Sequence, residues 1–311
     1  MQSTPYFMMV RPFSFRSNEE TASSNHFQQS TRHRSQEVTA RAQAEFDAFA
    51  ERLRSHGLKL AIFQDDAYPD TPDAVFPNNW VSFHEDGRVA LYPMMAANRR
   101  GERREEMLDI LADDFGFDIT EVEDFTEFEN EGLFLEGTGS MVLDRLNRVA
   151  YAALGPRTDA PVLETFCERF NYDTVAFKAV QEVYGVPMPV YHTNVVMSIG
   201  THFAIVCLSA IPDTRERNGV KDALKASGRK IIDISEAQMA AFAGNAIEAR
   251  TLNGELLCVM STCAYQALRP DQHEAIGKHA RLVHSDLSTI ETHGGGSARC
   301  MLAEIFIPKK K

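Results

Sequence analysis

Cys300 closes a segment opened by the glycine run Gly294-Gly295-Gly296, with Arg299 immediately before it. A thiolate is a strong nucleophile, a neighbouring cation favours it over the thiol, and consecutive glycines let backbone amides approach a bound group and donate to it. The other cysteines have plainer surroundings. Cys207 and Cys258 lie inside apolar runs and Cys167 on an apolar helix face, where a free thiol behaves as a small hydrophobe. Cys263 follows a strand pattern, and its setting is ambiguous. A cysteine nucleophile needs a base and a group that orients or charges that base. His192, in Tyr191-His192-Thr193-Asn194, and Glu136, in Leu135-Glu136-Gly137-Thr138-Gly139, are the candidates, with Asn78 and Asn79 of Phe76-Pro77-Asn78-Asn79 as polar neighbours. One at a time these residues have ordinary readings: a core histidine, a turn carboxylate, capping asparagines, a flexible glycine loop. Their joint placement decides between the readings.

That placement comes from a repeat. Residues 80–83 run through Glu85-Asp86-Gly87 into residues 89–92, two apolar runs around an Asp-Gly turn. The pattern returns as residues 140–143 into 149–151, as 195–198 turning at Gly200-Thr201 into 203–206, and more weakly from Asn245 through Asn253-Gly254 into 256–259. Helical stretches follow. Residues 104–115 place Met107, Leu108, Ile110, Leu111 and Phe115 on a roughly helical face, residues 161–170 take Thr158 or Asp159 as N-cap, and a third stretch ends near Leu224 before Gly228. Closing strands are expected at 174–177, 230–233 and 281–283, and residues 35–57 form an amphipathic helix (Val38, Ala42, Phe46, Phe49, Leu53) leading into a strand at 58–63. The period is about 50 to 60 residues, repeated about five times. A last strand at 301–308 has no hairpin partner after it; residues 6–10 can supply one and close a ring with both chain ends. Around one axis, the segments that open the modules point at one mouth and bring Cys300, His192, Glu136, Asn79 and Asn194 together.

Composition narrows the partners. A net charge of -12 argues against a nucleic-acid surface, and Lys309-Lys310-Lys311 reads as a solvated end. No apolar run approaches the roughly 20 residues of a membrane helix, and residues 1–16 lack the layout of a secretory signal, so a soluble, cytoplasmic protein is expected. Five irregularly spaced cysteines suit reduced thiols, not a disulfide framework, and no CxxC array with histidines points to zinc. Residues 26–36, polar and rich in serine, arginine and glutamine, read as an entrance loop or a linker.

With these residues in view, the chain resembles the amidinotransferase and arginine deiminase superfamily. The resemblance is carried by Leu135-Glu136-Gly137, His192-Thr193-Asn194 and Gly294-Gly295-Gly296 followed by Cys300. It spans essentially the whole chain, 1–311, read as one domain. It looks closest to citrulline-utilisation hydrolases, through Arg11-Pro12, Asn18-Glu19-Glu20-Thr21, Phe27-Gln28 and Phe76-Pro77-Asn78-Asn79-Trp80. The resemblance implies an α/β fold, the pentein: a five-bladed propeller of ββαβ modules with pseudo-fivefold symmetry. It implies a catalytic trio of Cys300, His192 and Glu136. Cys300 would attack the planar carbon of a guanidino or ureido group, His192 would protonate the leaving nitrogen and then activate water, and Glu136 would hold a substrate nitrogen or orient His192. This chemistry calls for no metal or organic cofactor.

Substrate contacts are expected from Asn78, Asn79, Asn194, Gly295 and Arg299, and from Arg11, which could equally make a structural salt bridge. Deiminases of the superfamily place aspartates at positions matching Asn79 and Asn194. An asparagine supplies a donor and an acceptor but no charge, and a buried cation without a carboxylate is costly. A neutral ureido group fits better, so the leading expectation is hydrolysis of citrulline to ornithine, ammonia and carbon dioxide. Alternatives are a deiminase or dihydrolase of arginine or a substituted arginine, an amidinotransferase, and, in another class, a non-catalytic pentein binding scaffold. The expected partners are the small-molecule substrate and, at most, further copies of the chain as a homo-oligomer.

Overall fold

The hairpin turns form where the sequence puts them because their own side chains close them. Asp86 Oδ1 accepts the Arg88 amide at 3.2 Å, and Asp144 Oδ1 accepts the Asn147 amide at 3.0 Å. A computed structural model of the chain describes residues 1–29 and 35–310; of the segment expected as an entrance loop, residues 30–34 lie outside the described residues.

Four hairpins each join a third, parallel strand. The sets are β3 (Val81–Phe83), β4 (Arg88–Leu91) and β5 (Glu121–Asp124); β6 (Met141–Asp144), β7 (Val149–Ala153) and β8 (Asp173–Phe177); β11 (Met197–Ile199), β12 (Phe203–Val206) and β13 (Lys230–Asp233); β14 (Ile247–Arg250), β15 (Leu256–Ser261) and β16 (Arg281–Ser285). The fifth sheet joins the chain ends. β1 (Tyr6–Arg11) pairs antiparallel with β17 (Ala303–Glu304) through Phe7 and Met8, and parallel with β2 (Lys59–Gln64) over its whole length. The opening strands of successive modules touch, β17 against β3, β6 against β11 and β11 against β14, so the modules run round an axis.

The helices follow the apolar stripes. Ser35–Ser55 buries Val38, Ala42, Phe46, Phe49 and Leu53 against Val283, Leu287 and Ile290, the face expected from spacing. Glu106–Asp113 is shorter than its pattern suggests. Met107, Leu108 and Leu111 are buried, whereas Ile110 and Phe115 are exposed, because 107, 108 and 111 already complete one stripe and Phe115 lies past the helix end. The last strand shrinks to Ala303–Glu304, since β1 offers it only two paired positions. A hairpin of β9 (Val180–Val183) and β10 (Val186–Pro189), which the repeat does not contain, inserts between the second and third modules with Tyr184 exposed at its tip.

Candidate active site

The segments that open the modules are single helical turns, not the plain loops and strand starts of the sequence reading. Pro77–Asn79 is a 3-10 turn, while Gly137–Ser140 and Thr193–Val196 are one α-turn each. Val195 and Val196 thus belong to a turn, and β11 begins only at Met197. The middle turn packs on both others. Thr193 ties two modules by donating to Ser140 O at 2.5 Å and accepting the Ala153 amide at 2.7 Å. Gly139 stands where a Cβ would lie 2.5 Å from Asn79 Nδ2 and 2.8 Å from His192 Nδ1, so two functional side chains use the space of a missing one.

Cys300, His192, Asn79 and Gly295 line one small cavity, together with residues the sequence did not single out. His192 Nε2 and Glu136 Oε2 are 2.8 Å apart, both buried. Arg99 and Arg157 each approach the same Glu136 oxygen at 3.4 Å, and Oε1 accepts the Met95 amide at 3.1 Å. Burial alone would raise the Glu136 carboxyl; Arg157, His192 and Arg99 outweigh it and hold the group well below the usual carboxylate range. Burial, with help from both arginines, pushes His192 down to about 4 against the pull of Glu136. The pair is therefore an anionic carboxylate with a neutral imidazole. Glu136 takes the Nε2–H, which leaves the lone pair on Nδ1, the ring atom beside Asn79 and Gly139.

Around Cys300 the groups are amides. Asn245 Nδ2 lies 3.2 Å from Sγ and Asn194 Nδ2 3.5 Å, and the Cys300 amide donates to Ser297 O at 3.0 Å. Burial pushes the thiol up, and the Ser297 backbone and the Asn245 and Asn194 side chains work against it. Gly295 adopts φ +62°, which turns its carbonyl to the Tyr191 hydroxyl. Asn78 lies just outside the cavity, with its Nδ2 3.3 Å from Thr138 Oγ1. Arg299 is buried behind Cys300 and faces Glu304 at 3.7 Å. Arg11 stands apart from the cavity: its guanidinium makes a two-pronged contact with Asp47 at 2.7 and 2.9 Å, the salt bridge of the sequence alternatives.

The residues missed are Asp73, Arg99, Arg157, Asn25 and Asn245. Asp73 is buried, raised by that burial, and bonded through Oδ2 to Asn18 at 2.8 Å, while its Oδ1 has no hydrogen-bond partner among the described residues. Arg99 is held by Glu102 at 2.8 and 2.9 Å, and Arg157 by Ser24 Oγ at 2.8 and 3.1 Å. Both arginines follow the second strand of their hairpins, a shared module position that could have flagged them. Asn25, just ahead of the expected entrance loop, donates to Gly294 O at 3.0 Å. Within that loop Phe27 meets Tyr191 edge-on and the Gln28 amide stands 2.7 Å from where a Gly295 Cβ would lie, so its described part sits over the glycine run. Asn245 opens the fourth module, where the repeat had already marked it.

The family model of eukaryotic N,N dimethylarginine dimethylhydrolase matches residues 11–307. The chain belongs to that family. With it goes the pentein superfamily, and the ring of ββαβ modules described above is that fold. The N-terminal domain of ArgZ, an arginine dihydrolase from the ornithine-ammonia cycle in cyanobacteria, solved with substrate bound, superposes with a TM-score of 0.73 at 16% identity, covering 96% of this chain and 97% of that one. AgrE in its ternary complex with ornithine and NAD+ gives 0.74 at 17% identity, with 98% of this chain covered and only 40% of AgrE spanned. A dimethylarginine dimethylaminohydrolase variant, as its adduct with S-methyl-L-thiocitrulline, gives 0.64 at 15% identity over 98% of this chain and 100% of that one. No curated protein sequence matches the chain. Among the described residues no helix is long and apolar enough to cross a membrane, and no group of His, Cys, Asp and Glu is arranged to hold a metal ion.

Proposed function

We propose that this chain is a cysteine hydrolase of arginine-type amino acids that removes nitrogen first from a guanidino and then from the resulting ureido group. One observation carries the reading: Cys300 shares a small cavity with His192, itself bonded to the buried Glu136, and with two guanidinium groups and a carboxylate placed to hold an amino acid. Arg99 and Arg157 offer positive ends to the substrate carboxylate, and the unpaired Oδ1 of Asp73 accepts from the substrate ammonium. As the sulfur of Cys300 bonds to the guanidino carbon, its proton passes to His192 Nδ1; His192 hands it on to the leaving nitrogen, the C–N bond breaks and ammonia departs. Water, deprotonated by His192 Nδ1, adds to the thio-intermediate and the C–S bond breaks, leaving a ureido group. A second round releases the second ammonia and a carbamate, which falls apart into ornithine and carbon dioxide. Two waters are consumed for each arginine.

The choice of a cation for the first round rests on electrostatics. Among the described residues, the side chains within hydrogen-bonding distance of Cys300 Sγ are asparagines, which carry no charge, and burial keeps the thiol protonated in the empty site. An arriving guanidinium supplies the charge that ionises it, and the thiolate then serves as the counterion that asparagines cannot provide. The names of the family and of the structural relatives, dihydrolases and dimethylhydrolases of arginines, support the same substrate class. A second reading, hydrolysis of citrulline alone, is favoured by the neutrality of Asn79 and Asn194, which suits a ureido group.

Separate incubations with arginine, N,N-dimethylarginine and citrulline, following ammonia, dimethylamine and ornithine, test both. Release from a guanidino substrate, ending in ornithine, is expected. Ammonia from citrulline with none from either arginine would replace the first reading by the second. Cys300→Ser should lower either activity by about a thousandfold or more while remaining folded. No turnover of any of the three would leave the non-catalytic scaffold.

A further inference from the structure

Asn245 comes from the β14 module, which supplies none of Cys300, His192 and Glu136. It is fully buried and stands two residues ahead of β14, as Asn79 stands two ahead of β3. A buried primary amide is costly unless its groups are satisfied, and each of these is committed. Oδ1 accepts the Arg299 amide at 3.1 Å, which fixes the direction the amide faces. Nδ2 is thereby turned to Cys300 Sγ at 3.2 Å, and it also reaches Asn194 O at 3.1 Å and Asn194 Oδ1 at 3.2 Å. Asn194 Nδ2 lies 3.5 Å from the same sulfur, and Asn194 Oδ1, 3.8 Å from it, can accept the proton of the neutral thiol. A neutral sulfur is a weak acceptor and an ionised one a much stronger one, so two N–H groups converging on Sγ favour the thiolate. The Arg299 guanidinium instead faces Glu304.

We propose that Asn245 is a catalytic residue: its Nδ2–H donates to Cys300 Sγ and stabilises the attacking thiolate, while its Oδ1 holds the Arg299 amide and so fixes the sulfur in place. The inference rests on Cys300 being the nucleophile. When the thiol ionises in the empty site its proton leaves to solvent, and the charge on sulfur is shared with two amides in place of water. Burial raises this thiol, and the Asn245 bond is one of those that bring it back down.

Alkylation of Cys300 by chloroacetamidine reads the ionisation directly: the thiolate displaces chloride to form a thioether, located by the mass of the labelled peptide. The rate is followed against pH in the wild type, Asn245→Ala and Asn245→Asp. The alanine variant should shift the pH midpoint up by about one unit and slow labelling at neutral pH about tenfold. Asn245→Asp, which keeps the shape and the acceptor for Arg299, should shift it further, because a carboxylate then faces the thiolate. It decides the matter if the alanine variant does not fold. Wild-type midpoints in folded variants would overturn the role of Asn245 alone. Failure of the wild type to label Cys300 in preference to the exposed Cys263 would overturn the nucleophile reading, and this inference with it.

Discussion

At the scale of single residues, the decisive relation is between Glu136 and the two arginines. Burial, aided by Arg157 and Arg99 beside the carboxylate, lets His192 bond to Glu136 without carrying a charge, and the imidazole keeps a free lone pair. This has a consequence for stability. Folded His192 resists protonation down to about 4, whereas in the unfolded chain it takes a proton at its ordinary value of 6.5. Between those values the unfolded state binds more protons, so stability rises with pH across the window and is lost on acidification through it. Urea unfolding at about pH 7 and about pH 5 should show a steeper loss in the wild type than in His192→Asn. Equal losses would mean that the folded imidazole titrates as it does in water.

At the scale of elements, the site is built from helical turns, whose tight backbone brings side chains of neighbouring modules within contact. Gly139 is the clearest case. Gly139→Ala places a methyl carbon 2.5 Å from Asn79 Nδ2 and 2.8 Å from His192 Nδ1. Both side chains must shift, and if His192 is the base proposed above, its displacement by about an ångström costs about a hundredfold in rate. kcat/KM should fall by that order, with a much smaller change in unfolding temperature. A collapse of thermal stability in step with activity would assign the glycine to the fold. The repeat made the turn positions legible, since Asn79, Gly139, Asn194 and Asn245 all lie two or three residues ahead of an opening strand. That they were helical was not legible, because a four-residue turn is too short to show a period.

At the scale of the whole molecule, the ring depends on β1, the central strand of the sheet that joins the chain ends. Met8 is fully buried there and pairs with Ala303 on one side and Ala61 on the other. Met8→Ala should cost about 2–5 kcal/mol in urea unfolding, as for a large core side chain. Because the same sheet carries the segment after Cys300, activity should fall with it at elevated temperature. A cost below about 1 kcal/mol, the range of ordinary exposed sites, would mean that ring closure contributes little to stability.

The sequence by itself determined the modules, the closing of the ring by the two ends, and the convergence of Cys300, His192 and Glu136 on one mouth. Hairpin turns and apolar stripes are local signals, and a repeat multiplies them until topology can be read. Tertiary structure alone decided the electrostatics. Asp73 carries no local mark, the module position shared by Arg99 and Arg157 does not show what their charges face, and Arg11, equally basic, spends its charge on Asp47 at the surface. Whether a histidine is a base, or a thiol can ionise, depends on charges that long loops bring within a few ångströms and on the water that packing removes. Neither is encoded within any short stretch of chain.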